Sequence, residues 1–242
     1  MAIPVVTNIS NPFSGTFGTG CIQVFANAGI PTIWNIPPGC QAVRVRVWSG
    51  GGAQTTSGGF FGCGGGFAMR TIYDISTVTS VVINVGRGAF SPGQNFGETS
   101  SFGSFVSAVG ASSLTPGYGV GGDINYTGGN SGTNISGGAA GLFGNGGGVN
   151  GSGCAGAGGT SNPQPGFTGS AGSTALTTGA PPQAGALQYY PSVDFIATGG
   201  GGLGSGINGG GGGTTTLSHG GIPGGGGGTQ GAGGQGLVIV EW

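Results

Sequence analysis

Glycines stand side by side along this chain, at Gly50-Gly51-Gly52, Gly64-Gly65-Gly66, Gly199–Gly202, Gly209–Gly213 and Gly224–Gly228. Such runs constrain the fold more than any other feature. Ordering each backbone costs about 1–2 kcal/mol, and a glycine brings no side chain to bury in return. Each glycine also costs about 1 kcal/mol in a helix relative to alanine. No segment carries a helical apolar stripe, so essentially no α-helix is expected. The glycines are then either slack tethers or packed backbone. The stretch Pro223–Trp242 poses that choice sharply, because its glycines lead into Leu237-Val238-Ile239-Val240-Glu241-Trp242, which reads as a buried strand.

Several observations favour packing. With 66 Gly and 13 Pro in 242 residues the chain resembles low-complexity sequence. Disorder, however, normally also requires high charge and few aromatic residues. Here Lys and Arg together number 4 and Asp and Glu 5, against 13 Phe, 5 Tyr and 3 Trp. The consecutive glycines break the every-third-residue register that collagen needs. The C-terminal strand makes sense only if it pairs with early strands. Runs without Cβ atoms can lie close together in a polyproline-II-like conformation and satisfy one another's N–H and C=O groups. The expected product is a stiff, weakly charged slab with intervening loops at its ends.

Period-two alternation marks the strands. In Ala42–Trp48 the three valines occupy one face, and Arg44, Arg46 and Trp48 the other. Ile22–Phe25, Thr32–Ile36, Phe67–Tyr73 and Val81–Val85 are further strands, and Pro37-Pro38-Gly39 is a turn. The expected fold is an all-β antiparallel β-sandwich closed by the C-terminal strand, with a packed glycine-rich region of polyproline-II-like runs or ordered loops. Its parts are a β-rich stretch over 1–115, a glycine-rich tract over 116–236 containing a loop island at 161–198, and the closing strand 237–242, together forming one structural domain.

Composition also excludes function classes. There is no lysine, only Arg44, Arg46, Arg70 and Arg87, so a phosphate backbone would gain little affinity and nucleic acid is not an expected partner. No apolar stretch approaches the roughly 20 residues that span a bilayer, and the start lacks the pattern of a signal peptide. Cys21, Cys40, Cys63 and Cys154 are widely spaced with no C-x-x-C pair, which favours packed thiols over a disulfide frame or a zinc site. His219 is the single imidazole, and the five acids are scattered, so no metal site or cofactor is expected. Ser113 and the glycine-flanked Ser152 lack the strand-to-helix context of a nucleophile elbow. No enzyme activity is expected, and the many G-x-G-x-x-G matches carry no nucleotide signal.

The order of parts resembles a known family. Trp34-Asn35-Ile36-Pro37-Pro38-Gly39 through Val43-Arg44-Val45-Arg46-Val47-Trp48 and Gly50-Gly51-Gly52 is followed by Gly64-Gly65-Gly66-Phe67-Ala68, then Val81–Gly88, Glu98–Gly103 and Gly233–Trp242. This order is similar to the glycine-rich domain of bacteriophage tail-fibre and other virion proteins, over nearly the whole chain. Ser49, the polar Pro92-Gly93-Gln94-Asn95 and the 161–198 island depart from its pattern. The resemblance implies a virion surface protein, made in the host cytoplasm and often used in host attachment. It carries no catalytic residues. The expected partners are other virion proteins and a host cell-surface receptor, either a polysaccharide or an outer-membrane protein. A homo-oligomer, by analogy a trimer, is expected.

Tyr189, Tyr190 and Phe195 in the island, with Tyr126 in Asp123-Ile124-Asn125-Tyr126 as a smaller second candidate, are the receptor-binding residues this reading singles out. Tyrosine supplies rigid contact area at low entropic cost, although the same rings could simply pin a loop to the sheet. A purely structural virion part, such as a capsid decoration or baseplate component, is the alternative. The extended glycine runs and Thr214-Thr215-Thr216 also raise an ice-binding or cuticle-like role.

Overall fold

A computed structural model describes residues 21–54, 61–90, 94–132, 136–142, 144–147, 187–190, 194–197, 220–228 and 231–242. Among the described residues there are twelve strands: β1 Ile22–Phe25, β2 Thr32–Asn35, β3 Val43–Trp48, β4 Phe67–Ile72, β5 Ser80–Asn84, β6 Ser100–Phe102, β7 Val106–Val109, β8 Tyr118–Val120, β9 Ile124–Tyr126, β10 Leu187–Tyr190, β11 Asp194–Ala197 and β12 Leu237–Glu241. Among the described residues there is no helix. One five-stranded sheet runs β1-β12-β3-β4-β9, a second runs β2-β5-β6-β7-β8, and β10-β11 is a separate ribbon. Neighbouring strands in all three are antiparallel.

The alternation read in β3 decides the layering. Its three valines, with Phe25, Val238 and Val240 from the same sheet, pack against Trp34, Val81, Ile83, Phe102 and Val106 of the second sheet. This is the core of an antiparallel sandwich. The closing strand does more than cover an edge: β12 lies between β1 and β3, with Leu237 opposite Trp48 and Glu241 opposite Arg44. At one side a single bridge between Tyr118 and Thr127 ties the two sheets together where β8 turns into β9.

The glycines extend the sandwich at one end. Residues 49–54 run out from β3 and 61–66 run back into β4; 86–90 and 94–99 do the same between β5 and β6, and 110–117 between β7 and β8. Segments 127–132 and 136–141 follow β9, and 220–228 and 231–236 precede β12. Glycine segments from both sides of residue 116 thus interleave in one bundle.

Hydrogen bonding in the bundle repeats every three residues. Gly62 N donates to Gly227 O at 2.8 Å, Cys63 N to Ser112 O at 2.9 Å, Gly64 N to Gly129 O at 2.9 Å, and Gly65 N returns to the first neighbour at Gly224 O, 2.7 Å. Gly50 and Ala53 likewise donate to Glu98 and Asn95, and Gly137 and Ala140 to Gly62 and Gly65. Three residues per turn is the repeat of a polyproline II helix, which has no internal bonds and must find partners on its neighbours. Close approach is what requires glycine here. A Cβ on Gly64 would fall on the carbonyl oxygen of Gly138, and one on Gly129 on that of Gly147.

Such amides are as fully paired as those of a sheet. Peptides covering 61–66 are therefore expected to exchange their amide hydrogens with deuterium as slowly as peptides covering β3. Exchange within seconds would mean that the bundle does not persist in solution.

Candidate recognition surface

The two ends of the molecule differ in kind. At the end away from the bundle, Cys21 and Trp242 exchange backbone hydrogen bonds, both 3.0 Å. Trp242 packs against Trp34 there with ring centroids 5.5 Å apart. The chain thus enters the sandwich beside its last strand, and the bundle points the opposite way.

At the far end of the bundle the outgoing segments turn back. Phe90 and Gln94 exchange backbone bonds of 2.7 and 2.8 Å. The Ser112 hydroxyl accepts from Leu114 N at 3.0 Å and Thr115 N at 2.8 Å, which closes a serine turn. Neighbouring turns are tied to each other. Ser131 Oγ donates to Ser113 O at 2.6 Å, and Phe61 N donates to Gly132 O at 3.1 Å. Gly97 N donates to Ala111 O at 2.7 Å. From this base project Phe90, Phe96 and Leu114, exposed by 65%, 65% and 70%.

Beneath them the Cys63 thiol is buried, 3.3 Å from Ser131 Oγ and 3.5 Å from Ser113 O. Burial pushes its pKa up, with the Ser131 contacts pulling weakly the other way, and burial likewise pushes up that of Cys40. Both are free thiols, whereas Cys21 is exposed. Because the thiolate is the reactive species, Cys21 is expected to alkylate at least about tenfold faster than Cys40 or Cys63 at neutral pH, read site by site in mass spectra. Equal labelling of Cys63 and Cys21 would show that the base of the turns opens readily.

The residues singled out from sequence divide among different places. Tyr126 ends β9 and is half-buried. It belongs to a row across the outer face of the first sheet, Leu237–Trp48–Phe67–Tyr126, whose members are register partners. Trp48 and Phe67 rings are 4.8 Å apart, and Phe67 and Tyr126 stack at 6.5 Å. Its neighbour Asp123 accepts from Thr71 N at 2.7 Å and so continues the β4–β9 pairing. Tyr189 stands opposite Phe195, and Tyr190 opposite Asp194, in the β10–β11 ribbon, away from β9 in the pairing scheme. The rest of the 161–198 island, His219, Ser152, Cys154 and Thr214–Thr216 lie outside the described residues. Ser113 is buried.

Sequence reading missed the ionic cluster on the outer face of the first sheet. Glu241 Oε2 lies 2.5 Å from Arg44 Nη2, and its Oε1 lies 2.6 Å from Arg46 Nη2. Arg46 and Glu241 are only 1% and 2% exposed. The arginines were visible in the alternation of β3, but a partner 197 residues away has no local signal.

The glycine-rich domain family model matches residues 27–242, from the turn after β1 through the final residue. The chain belongs to the glycine-rich domain family. Within this glycine-rich domain the match takes in the second sheet, every strand of the first sheet except β1, and the described segments of the bundle. A search of curated proteins finds no match.

Proposed function

We propose that this glycine-rich domain protein is a non-enzymatic bacteriophage virion protein of the tail fibre or its tip, and that it contacts the host cell surface through the turns at the far end of the glycine bundle. The observation that carries this reading is the bundle itself. Main-chain bonds hold its segments in fixed register, so the turns stand on a stiff base pointing away from the Cys21–Trp242 end. A turn already closed by hydrogen bonds, as Ser112–Thr115 is, loses little conformational entropy on contact with a partner. The order of sequence parts set out above supports the assignment to a phage particle. Tyr189, Tyr190 and Phe195 are assigned a second contact in this reading, and Tyr126 a supporting one from its place in the aromatic row.

Labelled antibody fragments on intact particles, viewed by electron microscopy, test the assignment together with adsorption in the presence of purified chain. Label at the distal end of a fibre and blocked adsorption are expected. Exchange of residues 161–198 between related phages tests the island, and an unchanged host range removes Tyr189, Tyr190 and Phe195 from recognition.

One observation favours a purely structural role in the capsid or baseplate. The outer face of the second sheet carries Ile33 opposite Val82, exposed by 66% and 46%. Paired apolar residues of this kind suit a neighbouring subunit, including another copy of this chain in a homo-oligomer such as a trimer. Regular label over the capsid or tail would select that role.

A further inference from the structure

The chemistry at the far end of the bundle narrows the kind of partner. The described residues at these turns, 53–54, 61, 89–90, 94–96, 111–116, 130–132 and 136–137, include no Asp, Glu, Lys, Arg or His. A contact made there cannot rest on salt bridges, and it gains nothing from a phosphate or carboxylate on the partner. What the described residues offer instead is exposed Phe90, Phe96 and Leu114, with Gln94 and Thr115 also exposed. Aromatic faces presented together with amide and hydroxyl groups match a pyranose, which presents flat C–H faces for the rings and hydroxyls for the polar groups. Gln can donate and accept at once, and so can Thr, as sugar hydroxyls require.

Resting on the reading of this end as the host contact, we infer that the bundle tip binds an uncharged polysaccharide. Phe90, Phe96 and Leu114 lie against sugar rings, and Gln94 and Thr115 hydrogen-bond to hydroxyls. Charge is the deciding term. An anionic glycan or a charged protein loop would have to surrender the hydration of its ions to described turn residues that offer no counter-charge.

The test is affinity electrophoresis of the full chain through gels containing dextran, mannan or galactomannan, with polygalacturonate as the anionic comparison. Retardation by at least one neutral polymer is expected, unchanged between about 50 and 500 mM NaCl because no screened charge takes part. A Phe90→Ala/Phe96→Ala variant should weaken it by about tenfold or more. A Tyr73→Ala variant, exposed beyond the end of β4 that lies away from the bundle, should leave it unchanged. Retardation by the anionic polymer alone, a salt-sensitive interaction, no retardation by any neutral polymer, or equal loss in both variants would overturn the inference.

Failure here is separable from failure of the attachment reading. If purified chain blocks adsorption, and the block survives periodate treatment of the cells but not protease, attachment stands and the partner is a surface protein. If neutral polymers retard the chain but adsorption is untouched, the glycan site stands without attachment.

Discussion

Replacing Gly64 with valine is expected to destabilise the protein by roughly 3 kcal/mol or more, above the usual cost of overpacking. The reason is the nature of the obstacle. A Cβ at this position meets the carbonyl oxygen of Gly138, a main-chain atom that cannot swing aside as a side chain would. That oxygen accepts from Gly129 N at 2.8 Å, while Gly64 N itself donates to Gly129 O at 2.9 Å and its carbonyl accepts from Gly117 N at 2.9 Å. Moving any one of these segments breaks bonds to the others. Gly39 supplies the control, since it has a φ of 82° and nothing within 4 Å of an added Cβ. Gly39→Ala should cost only the strain of a left-handed backbone, about 1–2 kcal/mol. Urea unfolding of the two variants measures the difference, and equal midpoints would mean that close backbone approach contributes nothing to stability.

Glu241→Leu is expected to cost about 3–5 kcal/mol, the range for removing one partner from a buried ionic group. The carboxylate sits between Arg44 and Arg46, and its loss leaves two guanidinium groups side by side under a covered sheet face. The damage falls on β12, whose register with β3 places Glu241 opposite Arg44. A double-mutant cycle with Arg46→Met should return a coupling of about 0.5–3 kcal/mol, because the two residues share one contact. Additive effects would show that the ion pair does not help hold the strand in place.

Both effects bear on what a reader of the sequence could have seen. The valines of β3 announced their face, because alternation is a local property that survives any tertiary context. Leu237–Glu241 announced itself by an unbroken apolar run. The short strands β6, β7 and β8 did not. Ser100–Phe102, Val106–Val109 and Tyr118–Val120 are three or four residues long and hold serine and glycine, too little for a periodic signal. Asp123–Tyr126 read as an insert, yet its last three residues form β9, paired to β4 through Phe67 and Tyr126. The 161–198 island read as loop, yet it holds the two-stranded β10–β11 ribbon. That glycines would bond to one another was legible from composition. Which ones bond was not, since Gly62 with Gly227 and Gly86 with Gly236 are joined by geometry that no neighbouring residue encodes. Phe90, Phe96 and Leu114 gave no warning of their exposure for the same reason.

The position of β12 has a consequence for how the molecule is made. It is synthesised after every strand it joins, yet it lies inside its sheet between β1 and β3, and the segment that feeds it supplies partners to Gly51, Gly86 and Ala89. Until it emerges from the ribosome, β1 and β3 have a gap between them, and those earlier glycines lack their mates. Folding must wait for translation to pass Glu241, and then proceed through pairings distant along the chain, which are slow to find. Meanwhile a nascent polypeptide with few charges must be kept from sticking to its neighbours, so its yield in a cell should depend on chaperone supply more than that of a protein built from local hairpins.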